Sequence, residues 1–159
     1  MKKIIDEELV RKAIAFALPT VRELVAANTW GPTGVVIAVG WQGLPEPIVH
    51  VMDELGQEDL WEERWGKGCN FREIALQKLS TALHGGNSSR SVVANHPWVL
   101  EEGDSFYTGA SAEDGYLAVS ASGAYGDTDE TVSWIVWNII LLLCQRRIAD
   151  LQSKEINCL

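Results

Sequence analysis

The chain has 159 residues, of which 47% are hydrophobic and 22% charged, a composition typical of soluble globular domains. A chain of this length can bury most of its apolar surface in one domain without disulfide bonds. Its formal net charge of −9 at pH 7 disfavours nucleic acids and anionic membranes as partners, because both attract basic surfaces. We therefore expect one domain over residues 1–159 that binds a small molecule or another copy of itself.

The cysteines and the N-terminus bear on the cellular compartment. Cys69, Cys144 and Cys158 form no CxxC pair and are odd in number, which favours neither a disulfide scaffold nor a structural zinc site. The N-terminal segment has a basic pair but no continuous apolar core, because acidic and basic residues interrupt it. The pattern predicts a cytoplasmic protein with no secretion signal.

The first third of the chain predicts helical structure followed by a hairpin. Residues 4–28 have the spacing of an amphipathic helix, in which Pro19 marks either a kink or the start of a second helix at Thr20. Residues 33–41 form a β-branched run, and residues 47–52 alternate well enough for its partner strand. The turn between them carries glycine and proline.

The next stretch is acidic and rich in tryptophan. Residues 53–63 contain six acids and no base, which is compatible with a metal site or, more simply, with a solvated acidic face. Trp61 and Trp65 have i, i+4 spacing, so they either stack on a flat ligand or pack at a helix or subunit interface.

A helix with defined ends is predicted after this stretch. Asn70 and Glu73 have the spacing of an N-terminal capping box, and His84 with the glycine pair that follows it predicts the end of the helix. Residues 91–100 show no clear periodicity and are predicted to be irregular.

The last third predicts a second hairpin and an apolar helix. Residues 104–110 and 115–122 flank a polar turn, as in a hairpin. Asp127 and Glu130 have capping-box spacing before a helix that is predicted to begin near Thr128 and to be buried on more than one side. Acids precede this apolar run and two arginines follow it, which favours a core helix over a membrane span. The polar tail, from about residue 150, is predicted to fray.

Two of these segments resemble patterns of a known family. The segment IALQKLSTA is similar to I-A-x-x-K-A-x-T-A, and GYLAVSASGAYGDTDE is similar to G-x-x-x-G-A-I-G-V-S-G-x-x-x-x-Q-D-E. The family is that of the haem-degrading and haem-binding HbpS-like proteins, also called GlcG-like. The resemblance implies a profilin-like α/β/α fold with a mainly antiparallel sheet of about five strands, and often a homo-oligomer. The chain departs from the pattern at Trp41, at residues 103–106 and at Thr128.

The resemblance also implies a ligand. Haem iron needs an axial donor, an apolar slot and cations for the propionates. His96, beside an aromatic residue in the irregular segment, is the preferred candidate for the metal ligand, and Tyr107 is a second candidate for the cofactor-binding site. Lys78 and Thr81 lie one helical turn apart, so they contact an anionic group of the ligand, or else Lys78 pairs with a carboxylate of the protein.

Three functions are compatible with the sequence. The preferred one is a small-molecule-binding protein for haem or a related tetrapyrrole, with or without slow degradation of the ligand. The alternatives are a non-catalytic oligomeric accessory protein of a metabolic operon and an enzyme acting on a small organic acid. Motifs for hydrolytic nucleophiles, phosphate-binding loops and zinc ligands are not found in the sequence.

Overall fold

The computed structural model describes residues 4–28, 34–53, 61–67 and 69–154. These residues form five α-helices, one short 3₁₀-helix and four strands, a mixed α+β fold. In chain order the elements are α1 (Glu7–Ala26), β1 (Gly34–Trp41), β2 (Ile48–Asp53), α2 (Trp61–Trp65), α3 (Phe71–Gly85), α4 (Ser89–Asn95), the 3₁₀-helix (Pro97–Val99), β3 (Ala110–Ala112), β4 (Leu117–Ser122) and α5 (Gly126–Ser153).

The sheet is antiparallel throughout and has the strand order β2-β1-β4-β3. The central strand β1 pairs with β2 on one side and β4 on the other, so that Val36 lies opposite both Val51 and Ser122. All eight residues of β1 are buried, as its continuous β-branched run predicts for a strand covered on both faces.

Helices cover both faces of the sheet and create two hydrophobic cores. On one face, α1 and α5 pack over the side chains of Val35, Ile37 and Val39. On the other face, α3 packs over Val36 and Ala38 together with residues of β3 and β4. The layered arrangement of helices on an antiparallel sheet agrees with the expected fold class, although the described residues form four strands and not about five.

Several local predictions are confirmed. The first hairpin is β1 and β2. The side chain of Asn70 accepts a hydrogen bond from the Glu73 amide at 3.2 Å and caps α3, and Gly86 ends that helix in the left-handed conformation with φ of 62°. The first helix is a single element that continues through Pro19, so the alternative of a second helix beginning at Thr20 is wrong.

Other predictions are wrong for identifiable reasons. Residues 91–100 are mostly helical, because Ser88 caps α4 by accepting a hydrogen bond from the Ser91 amide and Pro97 begins the 3₁₀-helix. The strand β3 begins only at Ala110, since residues 104–109 are occupied with side-chain and turn contacts. The helix α5 continues to Ser153, so residues 150–153 of the predicted frayed tail are helical, while residues 155–159 lie outside the described residues.

The predicted capping box of α5 is also wrong. The helix begins at Gly126, the N-cap residue Tyr125 makes no side-chain capping bond, and Glu130 instead pairs with Arg90 at 2.6 Å. The acidic side chain that does bond to the preceding turn is Asp129, whose Oδ1 accepts from the Ala124 amide at 3.0 Å.

The long helix α5 is buried along one side only. Val132, Val136 and Ile140 lie in the core with α1 and the sheet, while Leu141 and Leu142 are exposed. Among the described helices, α5 alone has the length and apolar composition that a membrane span requires.

Candidate ligand-binding cleft

A cleft of about 350 Å³ opens at one end of the sheet, beside the last residue of β4, where both helical layers meet. Its walls come from the start of α3, from the segment that precedes β3 and from the turn between β4 and α5. Clefts of this size hold small organic molecules.

A buried ion pair borders the cleft. Nζ of Lys78, on α3, lies 2.8 Å from Oδ2 of Asp129, on α5, and donates a second hydrogen bond to the carbonyl oxygen of Ala121 at 3.0 Å. The side chains of both charged residues are only 3% exposed. The pair therefore joins the helix layers on the two faces of the sheet in a place with little access for water.

Two glycines shape the backbone around this pair. Gly109 has φ of 126°, and a β-carbon there would lie 2.8 Å from Nζ of Lys78. Gly123 has φ of 137° and packs against the backbone of Gly34, which lets β4 turn sharply into α5. Both positions need the left-handed backbone that glycine adopts without strain. The turn then places Asp129 opposite Lys78.

The carboxyl group of Asp129 has an unusual affinity for protons. Burial raises its pKa from 3.8 to about 6, and this effect outweighs the opposing influence of the Lys78 charge and of the hydrogen bonds from Lys78, Ala124 and Gly123. The charge state of the cleft therefore changes slightly below neutral pH.

Aromatic and sulfur-containing side chains form the rim. Tyr107 and Tyr125 border the cleft and are 66% and 46% exposed, so part of each ring faces solvent at the rim. Phe71 and the thiol of Cys69 lie deeper and are buried. Burial raises the pKa of Cys69, and the nearby charge of Glu62 raises it further, so the thiol stays protonated at neutral pH.

The structure brings two of the four predicted site residues together at the cleft, Lys78 and Tyr107. Thr81 is fully buried beneath the neighbouring segment, where its hydroxyl accepts a hydrogen bond from the Ser105 amide at 2.8 Å. His96 ends α4 outside the cleft lining, and its ring makes an edge-on contact with Trp98 at a centroid distance of 5.6 Å.

The structure also shows where the buried tryptophan Trp61 lies and how much of the acidic run it describes. Trp61 is buried and packs against Phe71 with ring centroids 5.0 Å apart, in agreement with packing and not with ligand stacking. Most of the acidic run, residues 54–60, lies outside the described residues. In the described part of the chain, no group of three or more histidine, cysteine or acidic side chains is placed to hold a metal ion.

Sequence reasoning did not single out Asp129. A signal for it exists, because Asp129 shares a helical face with Val132, Val136 and Ile140, which are all buried. An acid on an apolar helical face predicts a buried charge that needs a partner.

A comparison with protein-family models finds no match, and no curated protein sequence matches the chain.

Proposed function

We propose that this protein binds a small organic molecule in the cleft beside Lys78 and Asp129. The observation that carries the proposal is a concave site that combines a buried ammonium group with exposed aromatic rings at its rim. Pockets that hold small molecules typically pair apolar walls with a few fixed polar groups. Burial of a charged pair costs free energy, which gives a functional reason for its position at a cleft.

Fragment binding followed by amide NMR tests the proposal. Planar fragments are expected to shift the amide signals of Gly123, Ala124 and Gly126, which line the cleft. Tyr107→Ala is expected to weaken these shifts, whereas Tyr116→Ala, at an exposed tyrosine outside the cleft lining, is the matched control. Shifts that are scattered over the surface, or equal losses in both variants, would contradict binding at this cleft.

A tetrapyrrole is the narrower form of the proposal, together with membership of the HbpS-like family and its profilin-like fold. Haem binding requires an axial donor for the iron and cations for the propionates, and the cleft offers both in part. Tyr107 supplies an oxygen donor of a kind that haem iron accepts, and Lys67 supplies an exposed cation for a propionate. The ammonium of Lys78 is already paired with Asp129. Tyr107, and not His96, is therefore the donor from which we expect iron coordination.

Haemin titration distinguishes the two donors. A saturable, stoichiometric Soret shift that survives in His96→Ala and is lost in Tyr107→Phe would support coordination at the cleft. The Tyr107→Phe change removes only the phenol oxygen and keeps the ring. A shift that never saturates would argue against the tetrapyrrole, and a saturable shift that is unchanged in both variants would argue against coordination by either donor. Both results leave other ligands of the cleft open to the fragment experiment.

Self-association through α5 is the second candidate function, the one expected of an oligomeric accessory protein. Six uncharged residues follow one another at alternating spacings of three and four along the helix side that faces away from the core: Thr131, Trp134, Asn138, Leu141, Gln145 and Ile148. This spacing is the heptad pattern of helix pairing. Thr131 and Asn138 already donate to carbonyl oxygens of their own helix, so an interface would not leave these donors unpaired.

Light scattering coupled to size-exclusion chromatography tests this candidate. Leu141→Glu is expected to produce monomers, because it places a charge in the middle of the uncharged stripe. Ser153→Glu adds the same charge on α5 at an exposed position off the stripe and is expected to leave the assembly unchanged. A monomeric wild-type protein at high micromolar concentration would contradict self-association.

A further inference from the structure

We infer that the ligand of the cleft presents an uncharged carbonyl-type oxygen to Nζ of Lys78, and that a carboxylate ligand enters only together with a proton. This inference rests on the proposed small-molecule function and specifies the chemical class of the ligand.

The donor count at Lys78 gives the first argument. An ammonium group has three N–H donors. Two of them are bonded, to Ala121 and Asp129, and no third acceptor is found among the described residues. Lys78 borders the cleft, so its third N–H is the donor that a ligand in the cleft can use. A ligand oxygen within reach of Nζ would accept this hydrogen bond.

The charge balance gives the second argument. Asp129 already neutralises Lys78, and both side chains are almost fully buried. An anionic ligand at the same nitrogen would leave one net negative charge in a poorly hydrated place, which is costly. The other cation of the cleft, Lys67, is exposed, and water and salt screen its charge. A neutral acceptor adds no charge and avoids this cost. An anionic ligand avoids the cost only when Asp129 is protonated, because the site then carries no net negative charge.

The rim gives the third argument, because it favours a flat molecule. Tyr107 and Tyr125 present exposed rings, while the hydroxyl-bearing residues Thr108 and Ser122 line the walls. A small aromatic ring that carries a carbonyl group would bury its faces against the tyrosines and direct its oxygen to Lys78.

Three matched probes test the inference on the unmodified protein. Benzamide carries a neutral carbonyl, benzoate an anion, and fluorobenzene the ring without an oxygen. Each is titrated at pH 5.5 and pH 7.5, and the shifts of the cleft amides report binding. We expect equal benzamide affinity at both pH values and at least about tenfold weaker binding of fluorobenzene.

Benzoate carries the decisive pH dependence. If it binds only when Asp129 is protonated, its affinity follows the protonated fraction of a group that titrates at about pH 6, so it falls about 25-fold from pH 5.5 to pH 7.5. Benzoate affinity must fall, and not rise, with increasing pH, because Asp129 loses its proton as the pH rises. Benzoate affinity that is independent of pH, or fluorobenzene binding as tight as that of benzamide, overturns the inference and leaves the small-molecule function intact. If none of the three probes shifts the cleft amides, the inference falls together with the proposed cleft function.

Asp129→Asn provides an independent check. The amide keeps the size of the side chain and an oxygen for the Ala124 amide, but it lacks the charge. We expect benzoate to bind this variant at pH 7.5 as tightly as it binds the wild type at pH 5.5. An Asp129→Asn protein that folds and still excludes benzoate at pH 7.5 contradicts the inference, and if the variant does not fold, the wild-type pH series decides.

Discussion

At the scale of single residues, Gly109 is the position on which the buried pair depends most directly. Its φ of 126° lies in the region that side-chain-bearing residues rarely adopt, and its α-carbon faces the pair. A β-carbon would lie 2.8 Å from both Nζ of Lys78 and Cβ of Asp129, and 2.9 Å from the carbonyl oxygen of Ala121. The absence of a side chain here is therefore a condition for the contact between Lys78 and Asp129.

Gly109→Ala is expected to lower the free energy of unfolding by about 2–4 kcal/mol, because it combines backbone strain with overpacking. Urea denaturation followed by circular dichroism measures this loss. The control is Gly103→Ala, since Gly103 also has a positive φ of 94° but has open space where the β-carbon would be. Equal losses in the two variants would show that backbone strain alone accounts for the effect and that the pair tolerates the added methyl group.

At the scale of elements, the segment before β3 is held to α3 by its backbone. The Ser105 amide donates to Oγ1 of Thr81, and the Tyr107 amide donates to the Ser105 hydroxyl. His84 lies 3.4 Å from a carboxylate oxygen of Asp104 in the same segment. These contacts determine where Tyr107 lies at the rim of the cleft, so the role of Thr81 in this structure is to position the rim.

Thr81→Val is expected to lower stability by about 1–3 kcal/mol, because it leaves the Ser105 amide buried without an acceptor. The change keeps the shape of the side chain, and Thr81→Ser, which keeps the hydroxyl, is the control. Hydrogen exchange should be faster at Ser105 and Tyr107 in Thr81→Val than in the serine variant. Unchanged exchange at these amides would show that the segment is held by other contacts.

The elements also show what the sequence can and cannot predict. The β1–β2 hairpin and the caps of α3 were predictable, because the β-branched run and the Asn70–Glu73 spacing are local signals. The capping box of α5 was predicted incorrectly, because the sequence does not show which first-turn acid bonds to the preceding turn until Lys78 is known to lie beside Asp129. Lys78 is 51 residues away in the sequence, and only the tertiary fold brings the two together.

At the scale of the whole molecule, Lys78 and Asp129 connect the helix layers on opposite faces of the sheet. Such a pair contributes little net stability, because the cost of burying two charges offsets their attraction. The removal of one partner is different, since it leaves the other charge buried without compensation. We therefore expect the pair to serve the cleft more than the stability of the fold.

This expectation is testable with two variants. Lys78→Met should destabilise the protein by about 3–5 kcal/mol at pH 7.5, because it leaves Asp129 buried without its partner. The loss should be smaller at pH 5. In the wild type the charge and the hydrogen bond of Lys78 lower the pKa of Asp129, so their loss raises this pKa above its wild-type value of about 6. The stability that the protonated carboxyl group contributes is therefore present at low pH and is lost as the pH rises through that higher value. Lys67→Met, at an exposed lysine of the same cleft, is the control for the loss of a charge.

The double variant Lys78→Met/Asp129→Asn then separates stability from binding. It is neutral at both positions and keeps an oxygen for the Ala124 amide, so urea denaturation should show that it recovers most of the stability lost in Lys78→Met. Its benzamide affinity should stay at least about tenfold below that of the wild type, because the donor is gone. A double variant as unstable as Lys78→Met would mean that the ion pair itself holds the two layers together. A stable double variant that binds benzamide as tightly as the wild type would show that Lys78 does not contribute to ligand binding.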